Sequence, residues 1–153
     1  MNRETFFRGK DSASWVYGDL IHVNGSTLIK PYLDMAFPVQ PETVGQYTGL
    51  KDRNGNRIFE GDIVRFSFGN RYSSKKENEK IRIGRIYFNE FRACWAIAMC
   101  RNGSDCCNMD LTSYQKYACY TLYNEIQYEN RVEVIGNIHD NPELISKIKE
   151  DNE

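Results

Sequence analysis

Net charge, histidine and long apolar runs are what this sequence has least of, and each shortage removes a class of function. Its 20 Lys and Arg stand against 21 Asp and Glu, a net charge of −1, so no long-range field draws in phosphate backbones. The longest apolar run, Ala93 to Cys100, is far too short to span a bilayer. The N-terminal MNRETFFRGK carries charges where a secretory signal needs its apolar centre. A cytoplasmic protein without a membrane contact is expected.

Reaction chemistry is equally thin. Cys94, Cys100, Cys106, Cys107 and Cys119 form no C-x-x-C pair and have no His among them, so neither zinc spacing nor a disulfide ladder is visible. Reduced, mostly buried thiols are the plain reading. His22 alternates with an aromatic strand face and has no Ser, Cys or carboxylate pattern beside it. Glu60 and Asp62 lack a nearby third ligand and read as punctuation of a solvated turn. An enzyme would have to be built from His22, His139 and scattered carboxylates without spacing. No catalytic residue, metal site or cofactor is expected.

What is present favours sheet. Ten Tyr, eight Phe and two Trp, with many β-branched residues, suit half-buried pleated surfaces better than a helical bundle. A chain of 153 residues can bury roughly 70% of its unfolded surface, enough for a real core. The sequence is organised around Val44 to Val64, where two β-rich runs flank Asp52-Arg53-Asn54-Gly55. Asp, Asn and Gly there supply local hydrogen bonds and tolerance for positive φ, which predicts a hairpin turn. Glu60-Gly61-Asp62 is a second tight bend, after which Val64, Phe66 and Phe68 share one face of a strand.

Upstream, Trp15 to Val23 reads as a strand with Trp15, Tyr17, Ile21 and Val23 on one face. Asn24-Gly25 signals a two-residue hairpin, and Thr27 to Tyr32 returns as the partner, with Pro31 at its exit. Pro38 and Pro41 break up Ala36 to Glu42, read as a connector. The expected division is therefore an N-terminal hairpin region with connector over 1–42 and a β-barrel-like body over 43–153. Gly69 to Lys80 is polar and without period, a long surface loop.

Two more strands follow, Ile81 to Phe88 and Phe91 to Cys100, joined at Asn89-Glu90. In the second, Cys94, Ala96, Ala98 and Cys100 form a small-residue face that lets another layer come close. Asp110 to Glu125 fits either a short helix or an irregular strand. Arg131 to Ile138 is a strand. Asn141-Pro142-Glu143 then supplies a cap, a first-turn proline and an acid for a short helix through about Lys149.

Four pieces in order carry a resemblance: FRGK at Phe7 to Lys10 with the following WVYGDLI, TVGQYTGLKDRNGNRIFEGDIV, IGRIYF, and VEVIGNIHDNPELI. Together they resemble the YopX family of phage and prophage proteins. Gly69 to Lys80 and Arg101 to Asn130 do not match the family pattern closely. The resemblance implies a small, mainly β protein carried by a mobile element in a bacterial host cell, and brings no catalytic residue or cofactor. GDIV followed by a strand pair with Gly84 also resembles SH3-like barrels, by analogy only.

The expected function is that of a phage or prophage accessory protein acting through an unknown protein partner or a second copy of itself. Tyr114, Tyr117, Tyr120 and Tyr123 form the expected contact surface, since tyrosine gives large amphipathic area at low entropic cost. The alternative is a nucleic-acid-binding β-barrel using Arg65, Arg71, Lys75 and Lys76, which requires Arg65, Arg82, Arg85 and Arg92 to cluster.

Overall fold

A computed structural model describes residues 4–31, 35–68, 80–99, 120–127 and 131–144. The protein is mainly β, with two antiparallel sheets and two short helices. Contacts group it into two compact units, Met1–Leu50 with Arg57–Glu60, and Lys51–Asn56 with Gly61–Glu153.

The first unit holds a sheet of β1 (Phe7–Lys10), β2 (Trp15–Val23), β3 (Ser26–Lys30), β4 (Phe37–Pro38), β5 (Gln40–Lys51) and β6 (Arg57–Phe59), in the order β4-β3-β2-β1-β5-β6. Asn24 and Gly25 both take positive φ, 50° and 78°, the conformation a two-residue turn needs to match strand twist. Gly18 lets β2 and the end of β3 meet. A Cβ on it would sit 2.0 Å from the Lys30 carbonyl oxygen.

Phe7–Lys10 is a strand between β2 and β5. The segment read as a connector differs from expectation, carrying β4 and the start of β5. Pro41 is tolerated because the β1–β5 ladder lapses there. The register jumps from Arg8↔Gly45 to Lys10↔Gln40. Thr43 fills the gap, accepting from Lys10 N–H at 2.8 Å and donating to the Gln40 carbonyl at 2.7 Å, so no ladder bond is asked of the proline.

The second unit holds β7 (Asp62–Phe68), β8 (Lys80–Asn89), β9 (Cys94–Met99), β10 (Tyr120–Thr121) and β11 (Glu133–Asn137), ordered β10-β9-β8-β7-β11. A short helix α1 (Leu122–Gln127) follows β10, and 142–144 form a helical turn. The remainder of the expected C-terminal helix lies outside the described residues. Among the described residues the sheet does not close: β10 and β11 are its two different ends, and the expected β-barrel-like body is corrected on that ground. Closure requires a first strand to pair with a last one, and here β11 pairs with β7.

Ile63, Val64, Phe66, Ile86, Ile97, Leu122 and Val132 are fully buried, each such side chain contributing about 1.5–3 kcal/mol. Leu144 packs with Ile83, Ile135 and Ile138 around Ile63. The small-residue face is real over Ala96 and Ala98, which are buried against Tyr87. Gly84 serves the same end, since a Cβ would meet Ile97 Cγ2 at 2.5 Å and the Ala98 carbonyl at 2.7 Å. The β8–β9 turn is longer than expected. It runs to Ala93, whose φ of 47° is left-handed, and leaves Phe91 66% exposed. The bend at Gly61 is also not solvated as expected: Asp62 is buried, in register with Asn137.

Candidate functional site

Period-two alternation places the chemistry-bearing side chains of β1 and β2 on one face. Arg8 lies opposite Tyr17 and Lys10 opposite Trp15, and directly opposed residues of an antiparallel pair share a face. The Arg8 guanidinium sits 4.7 Å from the Trp15 ring centre and 4.9 Å from that of Phe59. Its Nη2 donates to the Glu60 carbonyl at 3.2 Å. Gly45 makes that approach feasible, because a Cβ there would lie 2.6 Å from the same oxygen.

Around this pair the pattern repeats. Arg57 stands 4.5 Å from the Phe6 ring centre and 5.4 Å from Tyr47, and its Nη2 meets Glu4 Oε1 at 3.0 Å. Phe59 contacts Tyr17 edge-on at 5.6 Å and Tyr47 at the same distance. Burial pushes the Tyr47 hydroxyl up from its ordinary value, so the phenol stays neutral beside Arg57. Phe6, Arg8, Tyr47 and Phe59 are buried, while Trp15 is partly exposed and Tyr17 is 43% exposed. The result is a cation–aromatic mosaic with a solvent-facing rim. Its rings and guanidinium groups are suited to contact.

The second unit contributes a polar junction. Asp52, 2% exposed, accepts from Asn54 N–H at 2.9 Å and Asn56 N–H at 2.8 Å through Oδ1. Its Oδ2 accepts from Asn56 Nδ2 at 3.1 Å and Val134 N–H at 3.0 Å. Burial opposes the charge, but these four donors outweigh it and hold the carboxyl below its usual value. Nearby, Asn137 Oδ1 accepts from the His139 and Asp140 amides at 2.9 and 3.0 Å, and its Nδ2 donates to Asp140 Oδ2 at 3.0 Å. Asp52 and Asn137 thus organise backbone. Among the described residues no group of three or more His, Cys, Asp or Glu could hold a metal.

Of the tyrosines expected at a contact surface, Tyr114 and Tyr117 lie outside the described residues. Tyr120 is in β10, and Tyr123 is exposed on α1. Arg71, Lys75 and Lys76 also lie outside them. Arg65 is exposed between buried Val64 and Phe66, as its alternation predicts, and bridges to Glu133 at 2.7 Å. Arg82 lies opposite Phe66, whereas Arg85 lies opposite Ile63, so these two arginines take opposite faces. Arg92 lies exposed in the β8–β9 turn.

The mosaic itself was missed at the sequence level. Its signal was the period-two spacing of Arg8 with Lys10 and of Trp15 with Tyr17 across a short loop. Asp11 Oδ1 closes that loop, accepting from the Ala13 and Ser14 amides at 2.7 Å each.

The fold and these two arrangements define a mainly β protein of two antiparallel sheets whose polar side chains largely fix backbone and rings. A family model described as YopX protein matches residues 7–146, and the chain belongs to that family. The crystal structure of protein EF1440 from Enterococcus faecalis is similar, at 22% identity over 94% of this chain and 99% of that one, with a TM-score of 0.50. At that identity the likeness speaks for the fold alone. No curated protein matches closely enough to add a relative. No described helix is long and apolar enough to cross a membrane.

Proposed function

We propose that this chain is a phage- or prophage-derived accessory protein that works by protein contact and catalyses no reaction. The carrying observation is the rim of the cation–aromatic face, where Tyr17 and Trp15 present amphipathic rings held by Arg8, Lys10 and Phe59. Tyr, Trp and Arg are the residues most enriched where partners bind. Membership in the YopX family supports the mobile-element origin. The exposed Tyr123 is a second contact point on the other unit.

Direct nucleic-acid binding has less support. Arg65 is engaged by Glu133, and Arg82 and Arg85 point to opposite faces of the β8 strand. The test is affinity capture from host cells during prophage induction with tagged wild type and Tyr17→Ala, alongside light scattering of both. A partner, or a second copy, retained by wild type and lost with Tyr17→Ala is expected. A monomeric mass at micromolar concentration with nothing captured counts against the proposal. Salt-sensitive binding of a DNA duplex would replace it.

A further inference from the structure

Exposed rings gather at one corner of the second unit. Among the described residues that unit exposes four large apolar side chains, Ile81, Phe88, Phe91 and Tyr123, and the three aromatic ones lie where the β8–β9 turn and the start of α1 share one end of the sheet. β10 pairs Thr121 with Ala96, so the chain enters α1 running toward Trp95 and the turn, and α1 packs against β9. The turn is held in shape. The Arg92 N–H donates to the Asn89 carbonyl at 3.3 Å and to Asn89 Oδ1 at 3.2 Å, and Asn89 is fully buried. Phe91 is thereby presented to solvent on a fixed loop, which lowers the ordering cost of a contact. Phe88 meets Trp95 edge-on at 5.1 Å. Trp95 is only 8% exposed, and its buried Nε1–H has no acceptor among the described residues. A buried donor without an acceptor costs free energy that an incoming carbonyl recovers.

We infer that this corner binds an extended, proline-rich segment of a partner protein that also carries arginine or lysine. The chemistry of the corner selects that occupant. β8 and β9 both lie inside the sheet, so the corner presents rings and an indole donor and no open strand edge. A fitting ligand brings carbonyl acceptors and few N–H groups, since this surface has no row of acceptors to answer them. A polyproline II segment meets both terms, because its carbonyls make no internal hydrogen bonds and proline has no N–H. Aromatic-lined surfaces take such segments by packing proline against rings. The indole is reached when the Phe88 ring, 38% exposed, swings aside. Charge adds the basic residue. Glu90 and Arg92 lie exposed in the turn and Glu125 in the first turn of α1, two acids against one base, and rings beside carboxylates hold a guanidinium or ammonium group. The inference rests on the contact reading only at Tyr123 and is independent of the Tyr17 face.

The test uses the full chain and a fluorescein-labelled peptide repeating Arg-Pro-Pro-Pro, with Arg-Gly-Ser-Gly and Glu-Pro-Pro-Pro repeats as controls, read by fluorescence anisotropy at fixed salt. Wild type should bind the first peptide well ahead of either control. Phe91→Ser, an exposed substitution checked for wild-type circular dichroism, should weaken that binding about tenfold. Glu90→Lys should weaken it as well, and Tyr17→Ala should leave it unchanged, so failure here and failure of the Tyr17 face are told apart. In nitrogen-resolved proton spectra the Trp95 indole N–H, assigned by its loss in Trp95→Phe, should move downfield as peptide is added. Absence of binding overturns the inference, as does an indole signal that stays in place. Equal binding of the Arg-Gly-Ser-Gly repeat, which is charge alone, overturns it too, and so does binding unmoved by Phe91→Ser. A Phe91-dependent dimer in sedimentation, or Phe91-dependent pelleting with phosphatidylglycerol vesicles, without peptide binding, assigns the corner to a second copy or a lipid surface in its place.

Discussion

The guanidinium of Arg8 offers a decisive perturbation, because it is buried between two rings and donates to a backbone carbonyl. Arg8→Met keeps an unbranched stem in contact with Trp15 and Phe59 while removing the charge and the donors. Each desolvated ring contact contributes about 1 kcal/mol. The bond to the Glu60 carbonyl adds about 1 kcal/mol, and its loss leaves that oxygen underused. Relief from burying a cation offsets part of this sum, so Arg8→Met should destabilise by about 2 kcal/mol. Arg8→Ala adds a cavity between the rings and should cost about 3–4 kcal/mol. Urea unfolding followed by circular dichroism and tryptophan fluorescence measures both, and with a slope near 2 kcal/mol per molar the Met variant's midpoint falls by about 1 M. If Arg8→Met is as stable as wild type or more so, the cation is only tolerated there. The mosaic would then be packing with a charge trapped inside it.

Three further outcomes follow from the same geometry. Because the Asp52 carboxyl is held below its ordinary value in the folded state, its contribution is complete above the unfolded value near 3.9 and disappears as pH falls through the folded one. The stability gap between wild type and Asp52→Asn should therefore be widest near neutrality and close below about pH 4 in urea midpoints taken across pH. Gly84→Ala forces a methyl onto the Ala98 carbonyl and Ile97. It should lower the melting temperature by roughly 6 °C, from a cost of about 2 kcal/mol. Gly136→Ala places a methyl 2.4 Å from Asn141 Oδ1, which accepts from the Asn137 N–H at 3.2 Å, so the Asn141 side chain must leave, and amide exchange at Asn137 should quicken while that at Val134 is unchanged.

How legible the fold was depended on how local its causes are. The Asn24-Gly25 hairpin and the alternation of Val64, Arg65 and Phe66 answer to neighbours within a strand or turn, and both were readable. Pro41 misled because its cost is waived where the β1–β5 ladder lapses, a tertiary circumstance. The left-handed φ of Ala93 has no sequence signature, since alanine seldom adopts it. An acidic turn leading into a bent strand suggested a barrel. Yet closure depends on which strands meet at the ends, and β10 and β11 do not meet in the ladder order. The cation–aromatic face needed Arg8 to find Phe59, 51 residues away in sequence. Spacing inside β1 and β2 shows only half of it.

Asp52 shows why one residue type can be required by local and distant structure at once. Its turn needs a short side chain with an acceptor placed to take the amides two and four residues on. Asn could supply that acceptor, and Glu would carry it too far from its own backbone. The edge of β11 needs a second acceptor from the same side chain, 82 residues away in sequence, and only a carboxylate has two equivalent oxygens. Asn would turn an amide donor toward the Val134 N–H, leaving two donors face to face. The sequence reading recognised the first requirement and stopped there, because turn chemistry alone accepts Asp or Asn equally. The second requirement makes the aspartate a joint between the Lys51–Asn56 turn and the end strand of its sheet. Replacing it by Asn should therefore leave the turn's own amides protected from exchange while releasing that of Val134. Loss of protection at both together would mean that turn and edge form a single cooperative unit, and that the carboxylate does not couple two separable ones.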